Sequence, residues 1–207
     1  MLVQRSNVAE RKNTVVLWDF ENTFKNLKNL VYEILQQNTQ NLPLPYIGLD
    51  YYGLMTKLRQ DNLMFMIAAF PAYLYNIGEA KKIIQLMQQD RFYCITSDVD
   101  NATCKTVDGT DTVLINFGTN LINTITHHAL QKVIIISDDV DFLDLGINAL
   151  NNGIEDVIFM ENYLMNKRII GHKGIKCQKI PIQGEEKLKE INLRLPSNIE
   201  MEHISSV

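Results

Sequence analysis

Val133-Ile134-Ile135-Ile136-Ser137-Asp138-Asp139-Val140-Asp141-Phe142 is the stretch on which the reading of this chain turns. Four consecutive β-branched apolar residues show no alternation, so they fit a strand covered on both faces. The run then ends abruptly in acids. Val15-Val16-Leu17-Trp18-Asp19-Phe20-Glu21-Asn22 repeats the pattern near the start of the chain. Carboxylates at the end of a buried strand are costly unless solvated, paired or bound to a metal. A single Asp after a strand is commonly the cap of the next helix. Two acidic strand ends, the second carrying Asp-x-Asp-Phe, argue for a shared role.

Helical periods alternate with such runs. Asn22 to Gln37 places Phe24, Leu27, Leu30, Val31, Ile34 and Leu35 at helical spacing, and Leu49 to Arg59 and Gly78 to Asp90 read as further helices. Leu63 to Phe70, Phe92 to Ile95 and Val157 to Met160 are strand candidates, with a further strand expected within Cys177 to Ile182. A helix starting near Thr110 or Asp111 should run to about Leu130. Phe142 to Asn151 should be helical, closed by Asn152-Gly153 as a left-handed stop. The predicted class is α/β: three layers, with a central, mostly parallel sheet of about five strands and helices on both faces. Sheets of this kind bind ligands at the carboxyl ends of their strands, where the strand order reverses. Residues 1–13 read as a flexible leader, 14–182 as the domain and 183–207 as a partly ordered tail.

The 207 residues carry a net charge of −4, with 46% hydrophobic and 21% charged residues, which is ordinary for a globular domain. No apolar run approaches the ~18 residues of a membrane span, so no membrane partner is expected. The three cysteines, Cys94, Cys104 and Cys177, form no CxxC pair and no zinc spacing. A reduced, cytoplasmic setting is the expectation.

A third acid should come from Gly109-Thr110-Asp111-Thr112-Val113-Leu114, where Asp111 would stand at a helix start favourable to negative charge. Taken with Asp19-Phe20-Glu21-Asn22 and Ser137-Asp138-Asp139-Val140-Asp141-Phe142, this segment resembles the NYN family of PIN-like ribonucleases over residues 14 to 160. The resemblance implies a PIN-like fold and a metal-dependent ribonuclease. It implies that Asp19, Asp111, Asp139 and Asp141 hold one or two Mg2+ or Mn2+ ions, while Asn22 and Ser137 orient water, a carboxylate or the scissile phosphate. Single-stranded RNA is the implied partner; a homo-oligomer stays open. Two departures stand out. Asp138 occupies a position where the family usually has glycine. The spacing from Lys105 favours Asp108 as the third acid, whereas the following leucine favours Asp111, which we take as first choice. Glu21 would face away from Asp19 if the strand continued, and would join it if the chain turned.

The segment from Asn162 to Gln183 carries Lys167, Arg168, Lys173, Lys176 and Lys179 with His172 and no acid, a candidate path for a phosphate backbone or a plain solvated surface. Tyr163 and Phe142 are candidates for base stacking, with Phe142 better suited to the core. His127-His128 fits a helix C-terminus better than a metal. Two other readings compete. Asp19-Phe20-Glu21-Asn22-Thr23 also resembles the opening of haloacid-dehalogenase-type phosphatases, in which Asp19 would be a covalent nucleophile. The domain could also serve as a catalytically silent RNA-binding or protein-docking module.

Overall fold

The computed structural model describes residues 11–97, 109–125, 129–161 and 165–193. The central strand β1 (Asn13–Asp19) buries every residue after Asn13. Val15 and Leu17 enter one apolar cluster and Val16 and Trp18 enter another on the opposite face. Both faces of the strand are therefore dry, which is why its sequence is a continuous apolar run. The chain turns directly into α1 (Phe20–Gln37), whose buried residues include Phe24, Leu27, Leu30 and Ile34. Leu35, expected on that face, is 55% exposed.

A short strand β2 (Gly48–Leu49) and α2 (Tyr51–Leu58) lead to β3 (Asn62–Pro71), followed by a 3-10 turn over Ala72–Asn76, α3 (Gly78–Gln89) and β4 (Tyr93–Ser97). After α4 (Thr110–Thr124) come β5 (Lys132–Ile136), a 3-10 turn over Val140–Phe142, α5 (Leu143–Asn151) and β6 (Asp156–Glu161). The chain closes with α6 (Lys167–Ile170), β7 (Ile175–Lys179), β8 (Ile182–Gln183) and α7 (Glu185–Glu190).

The main sheet runs in the order β4-β3-β1-β5-β6-β7, and every neighbouring pair is parallel. It has six strands where the sequence suggested about five. The additional edge strand begins at Ile175, two residues before the expected start, and ends at Lys179. β2 and β8 form a separate antiparallel pair. The three-layer α/β class is thus as expected. β3 departs in one respect: it was read as buried over Leu63 to Phe70, yet Met64 and Phe65 are 37% and 46% exposed. β4 pairs with it only from Ile67 onward, so the first half of β3 is an open edge. No helix among the described residues is long and apolar enough to cross a membrane.

At the chain ends, Lys12 is ion-paired to Asp156 at 2.6 Å, so the described part of the expected leader is fastened to the start of β6. The expected tail contributes Gln183 to β8 and all of α7, whose Leu188 is fully buried in the first cluster. Residues 1–10 and 194–207 lie outside the described residues.

The strand order reverses between β1 and β5, which lie side by side with Trp18 opposite Ile136. Their carboxyl ends form the crevice where such sheets collect ligands. Gly153 has φ 78°, the left-handed stop expected after α5. Gly153→Ala should therefore cost about 1 kcal/mol, because a Cβ is disfavoured in that conformation. Urea denaturation measures it; an unchanged midpoint would mean the stop tolerates a side chain.

Candidate active site

Asp19 ends β1 and caps α1. Its Oδ1 accepts the Asn22 backbone N–H at 3.1 Å and its Oδ2 accepts the Ser137 hydroxyl at 3.1 Å. The carboxylate is 2% exposed. Burial, then the neighbouring charge of Asp111, push its pKa up to about 8, against the two hydrogen bonds that favour the charged form. Asp19 is the cap of α1. A cap alone does not require a fully buried serine from another strand on its second oxygen.

Ser137 follows β5 and is 0% exposed. Its Oγ also accepts the Asp139 backbone N–H at 3.1 Å, so one hydroxyl joins the two strand ends. Asp139 Oδ1 in turn accepts the Asp141 N–H at 3.0 Å and caps the 3-10 turn. This local bond folds the acidic stretch back on itself, leaving Asp139 half-buried and Asp141 exposed.

Asp111 arrives from α4. The helix begins at Thr110, as expected, and is capped at Gly109 without a side-chain bond. Asp111 shares a helical stripe with Leu114 and Gly118 at positions i+3 and i+7, both buried against the sheet. One turn beyond Leu114, that stripe overhangs the ends of the strands. Burial, then Asp139, Glu21 and Asp141, raise the Asp111 pKa, and Lys25 opposes them. Asp19, Asp111, Asp139, Asp141 and Glu21 therefore share one electrostatic neighbourhood. The alternative third acid, Asp108, and the Lys105 that pointed to it lie outside the described residues.

Glu21 joins the site because the chain turns at Phe20 instead of continuing as a strand. It accepts from Tyr73 Oη at 2.9 Å and pairs with Lys25 at 2.7 Å. Asn22, expected to orient a reacting group, has its side chain otherwise engaged. Its Oδ1 accepts from Asn26 Nδ2 at 2.6 Å, and its amide stabilises Asp138. Asn26 also donates to Asp138 Oδ1 at 2.9 Å. Asp138, read as an extra acid, thus ties the first turns of α1 to the β5 turn. Its pKa is raised by burial against these bonds.

No family model matches this chain, and no curated protein matches it. A solved structure of a protein of unknown function from Vibrio parahaemolyticus aligns with a TM-score of 0.56 at 12% identity, covering 84% of this chain and 95% of that one. The likeness is one of fold alone.

Several residues of this edge went unread in the sequence. Lys25 and Asn26 stand four residues after Glu21 and Asn22, a spacing that places each pair on one helix face. Tyr73 carried no sequence signal, since only the β1–β3 pairing brings its turn beside Asp19. Glu161, 1% exposed, closes β6 at the same edge.

Lys173, Lys176 and Lys179 of the basic segment do not gather beside the acids. Lys176 is bonded to Asp156 at 2.7 Å, at the opposite, amino edge of the sheet, and Lys173 precedes β7 there. Lys179 lies opposite Glu161, two strands away from β5. Phe142 is fully buried and unavailable for stacking; Asp144 is solvated, as expected. Tyr163, Cys104 and His127-His128 lie outside the described residues. Cys94 and Cys177 are part-buried, and burial raises Cys94 to about 11, consistent with an inert role for it.

The donor set suits a hard divalent cation, since it is all carboxylate oxygen, mutually repelling, with one member pushed above neutrality. Among the described residues, however, no three acids stand close enough to chelate one ion directly. An ion at this edge would have to be held through one or two carboxylates, with water completing its shell.

Proposed function

We propose that this chain is a metal-dependent ribonuclease of the NYN, PIN-like type, hydrolysing RNA phosphodiester bonds at the carboxyl edge between β1 and β5. The observation that carries the reading is the buried Asp19, clamped by Ser137 and raised to about 8 by burial and by Asp111. Holding such a group beside further acids is costly, and a site that binds a cation offsets that cost.

One or two of Asp19, Asp111 and Asp139 would hold the ion directly and the others through water, with Asp141 at the exposed rim. A bound divalent cation supplies Lewis acidity: it eases ionisation of water near neutral pH and offsets charge building on the phosphate. Ser137 fixes the Asp19 carboxylate in one orientation and, through its bond to the Asp139 N–H, fixes the turn carrying the other acids. Asn22 acts through this scaffold, linked to Asn26 and Asp138.

The phosphatase reading is less well supported. Lys132 is paired with Asp61 at 2.7 Å at the amino edge, remote from this site. The silent-module reading draws support from Lys25, a cation already paired with Glu21.

The test is incubation with labelled single-stranded RNA and Mg2+ or Mn2+, with EDTA and Asp139→Asn as controls. Cleavage that disappears in both controls is expected. RNA binding with no turnover under any metal would leave the silent module as the better account.

A further inference from the structure

The carboxylate cluster has one margin that is neither acidic nor buried. Tyr73 lies in the 3-10 turn after β3, at the same sheet edge as Asp19. Its hydroxyl and the Lys25 ammonium both bind Glu21 Oε1, at 2.9 and 2.7 Å. That anchor fixes the ring at the rim of the acidic crevice, and the residue is 39% exposed. Among the described residues it stacks on no other aromatic side chain. Lys25 is 60% exposed and lies close enough to lower the cost of charge on Asp111. An immobilised aromatic face beside an exposed cation matches the repeating chemistry of a nucleic-acid strand, a flat base next to a phosphate.

We propose that Tyr73 is the platform on which an unpaired base of single-stranded RNA stacks, with Lys25 meeting an adjoining phosphate. This rests on the nuclease reading of the neighbouring carboxylates and assigns residues that would select unpaired RNA. A base within a duplex has both faces occupied by its neighbours and cannot use the platform.

Binding is measured by fluorescence anisotropy with a short labelled single strand and the matched duplex, in an Asp139→Asn background that prevents turnover. Tyr73→Ala should weaken single-strand binding about tenfold, as expected for loss of one base–aromatic stack. Tyr73→Phe, which keeps the ring and loses the bond to Glu21, should stay within about twofold of the parent; duplex binding should follow neither change. Melting temperatures confirm that each variant is folded. The proposal is overturned if the Ala variant binds single strands as well as the parent, if Phe loses as much as Ala, or if the parent binds no single strand. Cleavage by the unmodified chain is assayed alongside. Cleavage with no Tyr73 effect removes the platform and keeps the nuclease, whereas Tyr73-dependent binding without cleavage does the reverse.

Discussion

Asp19→Asn is expected to abolish RNA cleavage while making the protein more stable at alkaline pH. The two effects have one origin. In the folded chain the Asp19 carboxyl titrates at about 8, raised chiefly by burial and then by Asp111, whereas an unfolded aspartate titrates near ~3.9. Between these values the folded state holds a proton that the unfolded state has released. The contribution of Asp19 to stability is therefore fullest below about pH 4, falls as pH rises, and is lost above about pH 8. The difference amounts to on the order of 5 kcal/mol if the whole shift is counted. Asparagine carries no charge, caps a helix about as well as aspartate, and keeps an oxygen for the Asn22 N–H. Its amide can face the Ser137 hydroxyl that now donates to Oδ2. Thermal melts should coincide near pH 4 and separate by pH 9, with the variant higher. Cleavage should fall on the order of a thousandfold, the scale seen when one preorganised electrostatic group is removed from a reacting centre. Mg2+ should raise the melting temperature of the unmodified chain and leave the variant unmoved. A variant less stable than its parent at pH 9 would show that the charge is not a burden there, and the basis for a cation site would go with it.

The sequence made the strands legible wherever both faces are covered. Val15 to Trp18 and Val133 to Ile136 are unbroken apolar runs because helices pack on both sides of them. It was less informative at the margins. β7 reads Ile-Lys-Cys-Gln-Lys, an edge strand whose polar positions conceal it. The open first half of β3 looked buried because nothing local reports where its neighbour β4 begins.

The site divides in the same way. Asp19 and Asp139 could be read from strand ends, and Asp111 from a helix start. That Asp138 anchors Asn22 and Asn26 could not, since the bond spans 112 positions in the chain. Nor could the Tyr73 link to Glu21, across 52 positions, which depends on β3 lying beside β1. Lys173, Lys176 and Lys179 suggested one basic path for the opposite reason. They are neighbours in sequence, but a strand separates them onto different edges of the sheet.

Gly118→Val should lower both stability and activity, although it lies two helical turns from Asp111 and touches no acid. A Cβ built at Gly118 would meet Leu17 Cδ1 at 2.7 Å and Leu145 Cδ2 at 3.0 Å. Glycine is there because α4 passes so close to β1 and α5. Alanine places one methyl group against the ends of two flexible leucines, and gains up to about 1 kcal/mol of helix propensity over glycine. Gly118→Ala should therefore be close to neutral. Valine adds two more methyl groups to the same gap, more than a shift of two buried leucine ends can absorb. Overpacking of this kind costs about 1–3 kcal/mol, and it is relieved by moving the helix off the sheet. Asp111 rides on the same stripe as Gly118, so that movement carries its carboxylate away from Asp19 and Asp139. A displacement of about 1 Å in a reacting constellation can reduce the rate on the order of a hundredfold. The valine variant should thus remain folded, melt at a lower temperature, and lose far more cleavage than its unfolded fraction explains. Asn120→Ala, on the exposed side of α4, should change neither quantity. If Gly118→Val destabilises the chain but the folded fraction cleaves RNA at the parent rate, then Asp111 is not one of the reacting acids, and the third carboxylate must come from elsewhere.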